Sequence, residues 1–126
     1  MIGGKSAEPV GICRYNLEIM EKITRLPYQF PGEIFRSPCP SSIMFDITGE
    51  VFPLYRMHKI KWVVMLLSDE EALQHTGLNL REVYASEGMQ VIYSPVEDFC
   101  APPFGAFDDA IQQVLVHVNL TENIAI

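Results

Sequence analysis

The sequence predicts an α/β fold in which helices flank a mainly parallel sheet. One indication is the continuous, β-branched-rich apolar run from Ile60 to Leu67, because such runs belong to strands that are covered on both faces. Another is the stretch 104–120, whose apolar residues recur close to the 3.6-residue period of a helix. The third is the order strand, helix, strand, loop, helix, strand, which implies right-handed crossovers between parallel strands.

The chain is expected to divide into an N-terminal extension or helix over 1–28 and an α/β domain over 29–126. A short helix or turn fits 15–24, where the apolar side chains Leu17, Met20 and Ile23 fall on one side. Prolines at four positions between 27 and 40 exclude a long helix across that segment. The first strand of the domain is therefore placed at 33–37.

The elements around the apolar run follow from local signals. A short helix is predicted over 51–58, entered through Pro53 in its first turn. Ser68 is the expected N-cap of the next helix, because three acidic residues follow it at the positive end of the helix dipole. The remaining predictions are a helix over 80–87 ended by Gly88, a strand over 89–93, a loop over 94–105 and a strand that begins at Ile124.

Composition limits the class of protein. The 126 residues suit one domain, and the 48% apolar content is sufficient for a core. A formal net charge of −7 argues against a nucleic-acid partner, since phosphate backbones bind basic faces. No apolar run reaches the ~18–20 residues of a membrane span, so no membrane partner is expected. The start, 1–8, lacks the apolar core of a signal peptide, which favours a cytoplasmic location.

Metal and disulfide chemistry are not expected from the cysteines and histidines. Cys13, Cys39 and Cys100 are an odd number and lack zinc-site spacing, which favours reduced thiols. The three histidines are scattered, and each is more often a surface or helix-face residue than a ligand. They are His58, His75 and His117.

The segment from Ser94 to Pro103 carries the functional signal. It follows a strand, holds the acidic pair Glu97 and Asp98, contains three prolines and leads into the long amphipathic helix. An acidic pair in a loop is by itself usually solvated surface. The order of elements around this pair gives it a second interpretation.

This arrangement resembles the general-acid loop of the dual-specificity and related protein tyrosine phosphatases, which are cysteine-dependent. The resemblance covers roughly residues 30–126 and is strongest from residue 58 onward. It includes the segments 32–37, 60–67 and 88–91. It implies a phosphatase-like α/β fold, no cofactor or metal, and a phosphorylated protein or smaller phosphoester as substrate.

The resemblance implies that Asp98 is the general acid, with Glu97 as the rival position. Cleavage of a phosphomonoester by a thiolate expels a poor leaving group, which a carboxylic acid protonates as the bond breaks. The prolines limit the movement of the loop and hold the acid near its productive position. Cys100 is interpreted as a small apolar loop residue rather than a nucleophile.

The chain departs from the family at the nucleophile. The family signature is His-Cys, five residues, Arg, in which the thiolate attacks and the Arg binds phosphate. Six residues after the three cysteines stand Ile19, Phe45 and Ala106, and none is Arg. The chain ends at Ile126, where the family places His-Cys within the next two residues. It is therefore expected to be the N-terminal portion of such a domain, truncated and inactive as it stands.

Two alternatives and one consequence remain open. The chain could be a pseudophosphatase or interaction module on the same scaffold, or an unrelated α/β domain with the same element order. If later helices are missing, the strand residues 62–67 and 91–93 should expose an apolar patch, which predicts self-association.

Overall fold

The computed structural model of the chain describes residues 22–96 and 105–126. Within these ranges the chain forms nine helices and strands, numbered here in chain order. They are β1 (Thr24–Arg25), β2 (Ile34–Arg36), α1 (Val51–Met57), β3 (Ile60–Met65), α2 (Asp69–Thr76), α3 (Leu80–Ser86), β4 (Gln90–Tyr93), α4 (Asp108–Asn119) and β5 (Asn123–Ala125).

The described strands form one five-stranded sheet in the order β1-β2-β5-β3-β4. Only the β1–β2 pair is antiparallel, whereas β2–β5, β5–β3 and β3–β4 are parallel. The predicted α/β class with a mainly parallel sheet is confirmed. The last strand in sequence, β5, lies at the centre, with Ile124 opposite Ile34 on one side and Ala125 opposite Val63 on the other.

Strand β3 is buried on both faces, as its continuous apolar sequence predicts. Val63 and Met65 face α1, α2 and α3, whereas Val64 faces α4. The strand ends at Met65 rather than at the expected Leu67. Its side chains from Val63 to Met65 are buried, so they do not form the exposed patch expected at 62–67.

Two apolar clusters lie on opposite faces of the sheet. One contains the inward side chains of α1, α2 and α3, including Val51, Tyr55, Ala72, Leu80 and Tyr84. The other is formed by α4 and the opposite sheet face, including Ile34, Ile92, Ala110, Val114 and Val118. Each fully buried side chain of this kind contributes on the order of 1.5–3 kcal/mol relative to exposure.

The helix ends follow their local sequence signals. Ser68 caps α2 through a capping box, in which its hydroxyl accepts from the Glu71 N–H and the Glu71 carboxylate accepts from the Ser68 N–H. Gly77 then ends α2 in the left-handed conformation, with φ of 72°. Gly88, the expected C-terminal residue after α3, also has positive φ, at 84°.

The sheet begins before the expected domain boundary at residue 29. Thr24 pairs with Arg36 across β1 and β2, and Ile23 is buried in the cluster under α1. Thr24 is in a strand rather than at the end of the short helix or turn considered for 15–24. The rest of that segment up to residue 21 lies outside the described residues.

Gly32 fixes the approach of the chain to β2. Its N–H donates to the Val118 carbonyl at 2.8 Å. A Cβ at this position would lie 2.1 Å from the Glu122 carbonyl oxygen, so only glycine permits this contact. Among the described residues, no helix is long and apolar enough to cross a membrane.

Candidate functional site at the carboxyl edge of the sheet

The four parallel strands end at one edge of the sheet, where open α/β sheets bind their ligands. Ser37, which follows β2, and Ile126, which follows β5, are joined there by backbone hydrogen bonding. The Ser37 N–H donates to the Ile126 carbonyl at 2.9 Å, and the Ile126 N–H donates to the Phe35 carbonyl at 2.8 Å. The segments that leave β2 and β5 therefore start side by side.

A cleft of about 420 Å³ opens at this edge, and we call it the edge cleft. The segment 36–40 forms one wall and the end of β3, through Leu66 and Leu67, forms another. Tyr55 and Tyr84 line it from α1 and α3. Ile126, which directly follows the central strand, also lines the edge cleft.

A hydrogen-bonded pair, Ser37 and Tyr55, lines the edge cleft. Their side-chain oxygens are 2.7 Å apart, and the Ser37 hydroxyl donates to the Pro38 carbonyl at 2.7 Å. The Tyr55 hydroxyl is therefore the donor to Ser37. Burial raises the pKa of Tyr55 to about 12, against the opposing effect of the Ser37 bond, so the phenol stays neutral at physiological pH.

Cys39 lies in the wall of the edge cleft as a protonated thiol. Burial, with a smaller contribution from the Asp46 charge, raises the pKa of Cys39 to about 11. Its thiol donates to the Pro40 carbonyl at 3.6 Å. Because the thiolate is the nucleophilic form, this cysteine is unsuited to attack on phosphorus at neutral pH. That property agrees with the absence of an Arg six residues after it.

The strand that precedes the expected acid loop also leads to the edge cleft. After β4 ends at Tyr93, Ser94 donates its N–H to the Met65 carbonyl and Val96 donates to the Leu66 carbonyl, both at 2.9 Å. The chain thus remains beside the end of β3 up to Val96.

The predicted acid residues lie just beyond that point. Asp98, its rival Glu97 and Cys100 are outside the described residues, as is Cys13. The described segment before them ends at Val96, whose N–H is bonded to Leu66 of the cleft wall, and the positions of the two carboxylates stay a prediction.

Asp46 is a buried carboxylate that the sequence analysis missed. It accepts backbone N–H groups from Ser41 at 2.7 Å, Glu50 at 2.8 Å and Val51 at 3.3 Å. The Lys22 ammonium lies 3.6 Å away. These bonds hold the loop between β2 and α1 beside the edge cleft. In the sequence, Asp46 is a single acidic residue between a Ser- and Pro-rich segment and a Gly-containing turn. That pattern is typical of any solvated loop.

The three histidines lie on separate elements. The His58 ring packs against Phe35, with 4.8 Å between ring centroids. His75 is in the last turn of α2. His117 stacks on Trp62 with 3.7 Å between ring centroids. The Trp62 indole N–H donates to the Glu122 carboxylate at 3.0 Å, and the His117 Nδ1 is hydrogen-bonded to the same carboxylate at 2.8 Å. Across the described ranges, no group of three His, Cys, Asp or Glu residues could hold a metal ion.

Comparison with solved structures identifies a fold relative. A mutant crystal structure of Tk-PTP, a protein tyrosine phosphatase, matches with a TM-score of 0.56 and 19% sequence identity. The match covers 81% of this chain and 59% of that chain. The expected phosphatase-like α/β fold is confirmed, and the chain spans about 59% of the length of the structure it matches. No family model and no curated protein matches the sequence.

Proposed function

We propose that this chain is the N-terminal portion of a cysteine-dependent phosphatase domain of the dual-specificity or tyrosine-specific type. The observation that carries the proposal is the position of β5, which is central in the sheet and ends at the edge cleft beside β2 and β3. A nucleophile loop that follows this strand would start inside the cleft. The segment after β4 approaches the same cleft, which suits a general-acid loop.

In the proposed reaction a thiolate that follows β5 attacks phosphorus, and the bond from phosphorus to the leaving oxygen breaks. Asp98, or Glu97 as the rival, donates its proton to that oxygen. Water then attacks the phosphocysteine, the same carboxylate takes a proton from it, and the thiolate and phosphate are released. The 126 residues hold neither this thiolate nor the phosphate-binding Arg, so the chain by itself is proposed to be inactive.

The substrate is proposed to be a phosphorylated protein or a small phosphoester, without a metal, and the location to be cytoplasmic. The edge cleft has few cations, because Arg36 is the one basic residue that lines it within the described ranges. The phosphate charge is therefore left to the loop after β5. The acidic chain favours neither nucleic acid nor an anionic membrane as partner.

The alternative is a pseudophosphatase or interaction module, which exposed apolar surface on α4 favours. Ile111, Leu115 and Val116 are exposed on this helix, whose Ala110 and Val114 are already buried against the sheet. A helix that is apolar on two faces indicates a further packing partner. Beside it lies a fully apolar groove of about 280 Å³, lined by Val64, Leu66, Phe107, Ile111, Leu115 and Ile126. We propose that a second copy of the chain packs against this apolar groove.

The experiment that tests the enzymatic proposal compares two proteins. One is the 126-residue chain, and the other is the product of the reading frame that continues past Ile126, if the transcript contains one. We expect the continuation to encode His-Cys, five residues, Arg, and its product to hydrolyse an aryl phosphate, while the 126-residue chain does not.

A stop codon directly after Ile126 would favour the interaction module instead. Turnover by the repurified 126-residue chain would contradict the proposal, because no residue of the chain supplies a thiolate with a paired Arg.

A further inference from the structure

The loop after β2 exposes a group of large apolar side chains beside the edge cleft. Residues 43–47, which we call the apolar loop, contain Ile43, Met44, Phe45 and Ile47. All four are more than half exposed, and Ile47 reaches 78%. Scattered apolar side chains are normal on a surface, whereas four exposed ones within five residues are a concentration of the kind that is typical of an interaction site.

Hydrogen bonds hold the apolar loop in this exposed conformation. Asp46, the buried residue of the loop, accepts backbone N–H groups through its carboxylate from Ser41 before the loop and from Glu50 after it. The Ser42 hydroxyl accepts from the Met44 and Phe45 N–H groups at 3.1 and 3.2 Å.

Ser41 has a positive φ of 62°, a conformation that non-glycine residues adopt only when the surroundings impose it. The loop is therefore preorganised, so binding of a partner costs little conformational entropy for ordering its backbone.

The apolar loop is connected to the edge cleft through a second cleft. This side cleft has a volume of about 420 Å³ and is lined by Lys22, Phe45 and the segment 36–38. The same segment 36–38 forms a wall of the edge cleft. An extended ligand that leaves the edge cleft across this wall therefore enters the side cleft and meets Phe45.

The side cleft offers a cation that the protein itself does not neutralise. Arg25, Arg56 and Arg81 each pair with a carboxylate. Within the described ranges, Arg36 is the arginine without such a partner, although the chain carries a formal net charge of −7. An unpaired guanidinium next to an exposed aromatic ring suits a ligand that has both an acidic and an apolar group.

We propose that the apolar loop and Arg36 form a recognition subsite for a polypeptide, which places an acidic and an apolar side chain next to the phosphorylated residue. This rests on the proposed function for the occupant of the edge cleft, and it narrows the substrate from phosphoesters in general to phosphorylated proteins. A membrane is the less suitable partner, because the formal net charge of −7 on the chain disfavours approach to anionic lipids.

The test measures binding of fluorescein-labelled peptides to the full 126-residue chain by anisotropy. The probe peptide holds two aspartates and two leucines around a tyrosine, in phosphorylated and unphosphorylated forms. Phe45→Ser, Ile47→Ser and Arg36→Gln should each weaken binding of both forms by ~5–10-fold, the usual loss for an anchoring aromatic or arginine side chain. A peptide with serines for leucines should bind the wild-type chain as weakly as the probe binds Phe45→Ser.

Matched control variants separate the subsite from general surface effects. Leu120→Ser removes a side chain that is exposed to the same 61% as Phe45 but lies at the end of α4. Arg25→Gln removes an exposed arginine from the neighbouring strand. Both should leave binding of the probe within twofold of wild type.

Three outcomes would contradict the proposed subsite. The probe peptide could show no saturable binding, or the control variants could lose as much affinity for it as the subsite variants. The third is that the chain binds phosphatidylcholine–phosphatidylserine vesicles instead of the peptide, in a way that depends on Phe45. The unphosphorylated peptide needs no phosphate loop. Binding of this peptide is therefore measured independently of the phosphatase activity of the longer reading frame, so failure of one proposal is distinguishable from failure of the other.

Discussion

The Tyr55 hydroxyl donates a hydrogen bond to the Ser37 hydroxyl at 2.7 Å, and this bond joins α1 to the segment that leaves β2. Both residues line the edge cleft, and Tyr55 is 2% exposed. The bond thus positions the wall of the candidate site relative to the helices beneath it.

Removal of this bond should destabilise the fold by a modest amount. Tyr55→Phe keeps the ring in the core but leaves the Ser37 oxygen without its donor, so we expect a loss of about 1 kcal/mol in the free energy of unfolding. Urea denaturation followed by circular dichroism measures it. Tyr28→Phe, at an exposed tyrosine, should change the stability by less than the error, and an equal loss there would contradict the role of the bond.

Asp46 should be among the most sensitive polar positions. Asp46→Ala leaves the Ser41, Glu50 and Val51 N–H groups without their acceptor, so we expect a loss of about 3 kcal/mol or more. Thermal or urea unfolding reports it. Glu50→Gln changes a carboxylate whose side chain is 53% exposed and should be nearly neutral. An Asp46→Ala chain as stable as wild type would show that the loop does not depend on this carboxylate.

Stability should decrease at alkaline pH. Burial raises the pKa of Cys39 from 9.0 to about 11 and that of Tyr55 from 10.0 to about 12. Both groups therefore deprotonate at lower pH in the unfolded state than in the folded state. Their contribution to the free energy of unfolding is fully present below the unfolded-state pKa values and is lost as the pH rises through the folded-state pKa values.

Guanidinium unfolding at pH 7, 9 and 11 measures this slope. Cys39→Ala removes one of the titrating groups and should lose less stability between pH 9 and 11 than wild type. A slope that is unchanged in Cys39→Ala would mean that the thiol is not protected by burial.

The choice between the two loop carboxylates is testable in a protein that includes the signature. Asp98→Asn should lower kcat by ~10²–10⁴-fold, because the leaving oxygen then departs without a proton. It should also flatten the basic limb of the pH–rate profile, since that limb reports deprotonation of the acid. Glu97→Gln should have a much smaller effect, and the reverse ranking would assign the acid to Glu97.

The apolar groove should mediate self-association of the 126-residue chain. We expect a symmetric dimer at micromolar concentration, because an exposed apolar helix face is stabilised by burial against a copy of itself. Analytical ultracentrifugation should show that Ile111→Ser with Leu115→Ser shifts the chain to monomer. Leu73→Ser, an exposed apolar position on α2, serves as the control. A wild-type chain that sediments as a monomer would contradict the proposal.

Most of the fold was accessible from local sequence. The buried strand Ile60–Met65 follows from its continuous apolar side chains, and the start of α2 follows from Ser68 and Glu71, three residues apart. Gly88 marks the end of α3 because glycine, which lacks a Cβ, adopts the positive φ found there without steric cost. These signals depend on neighbours within one turn or one strand, which is why the element order and the parallel α/β class could be predicted.

The sequence by itself thus determined the elements, their order and the class of fold, whereas the tertiary structure decided which residues meet at the edge cleft. Ser37 and Tyr55 are 18 positions apart, and Glu33 donates its N–H to the Asn123 side chain across 90 positions. Such contacts arise only when β5 inserts between β2 and β3, since sheet order depends on packing over the whole domain. The role of Asp46 likewise came from burial, because an aspartate in a loop has no local signature that separates an anchor from solvated surface.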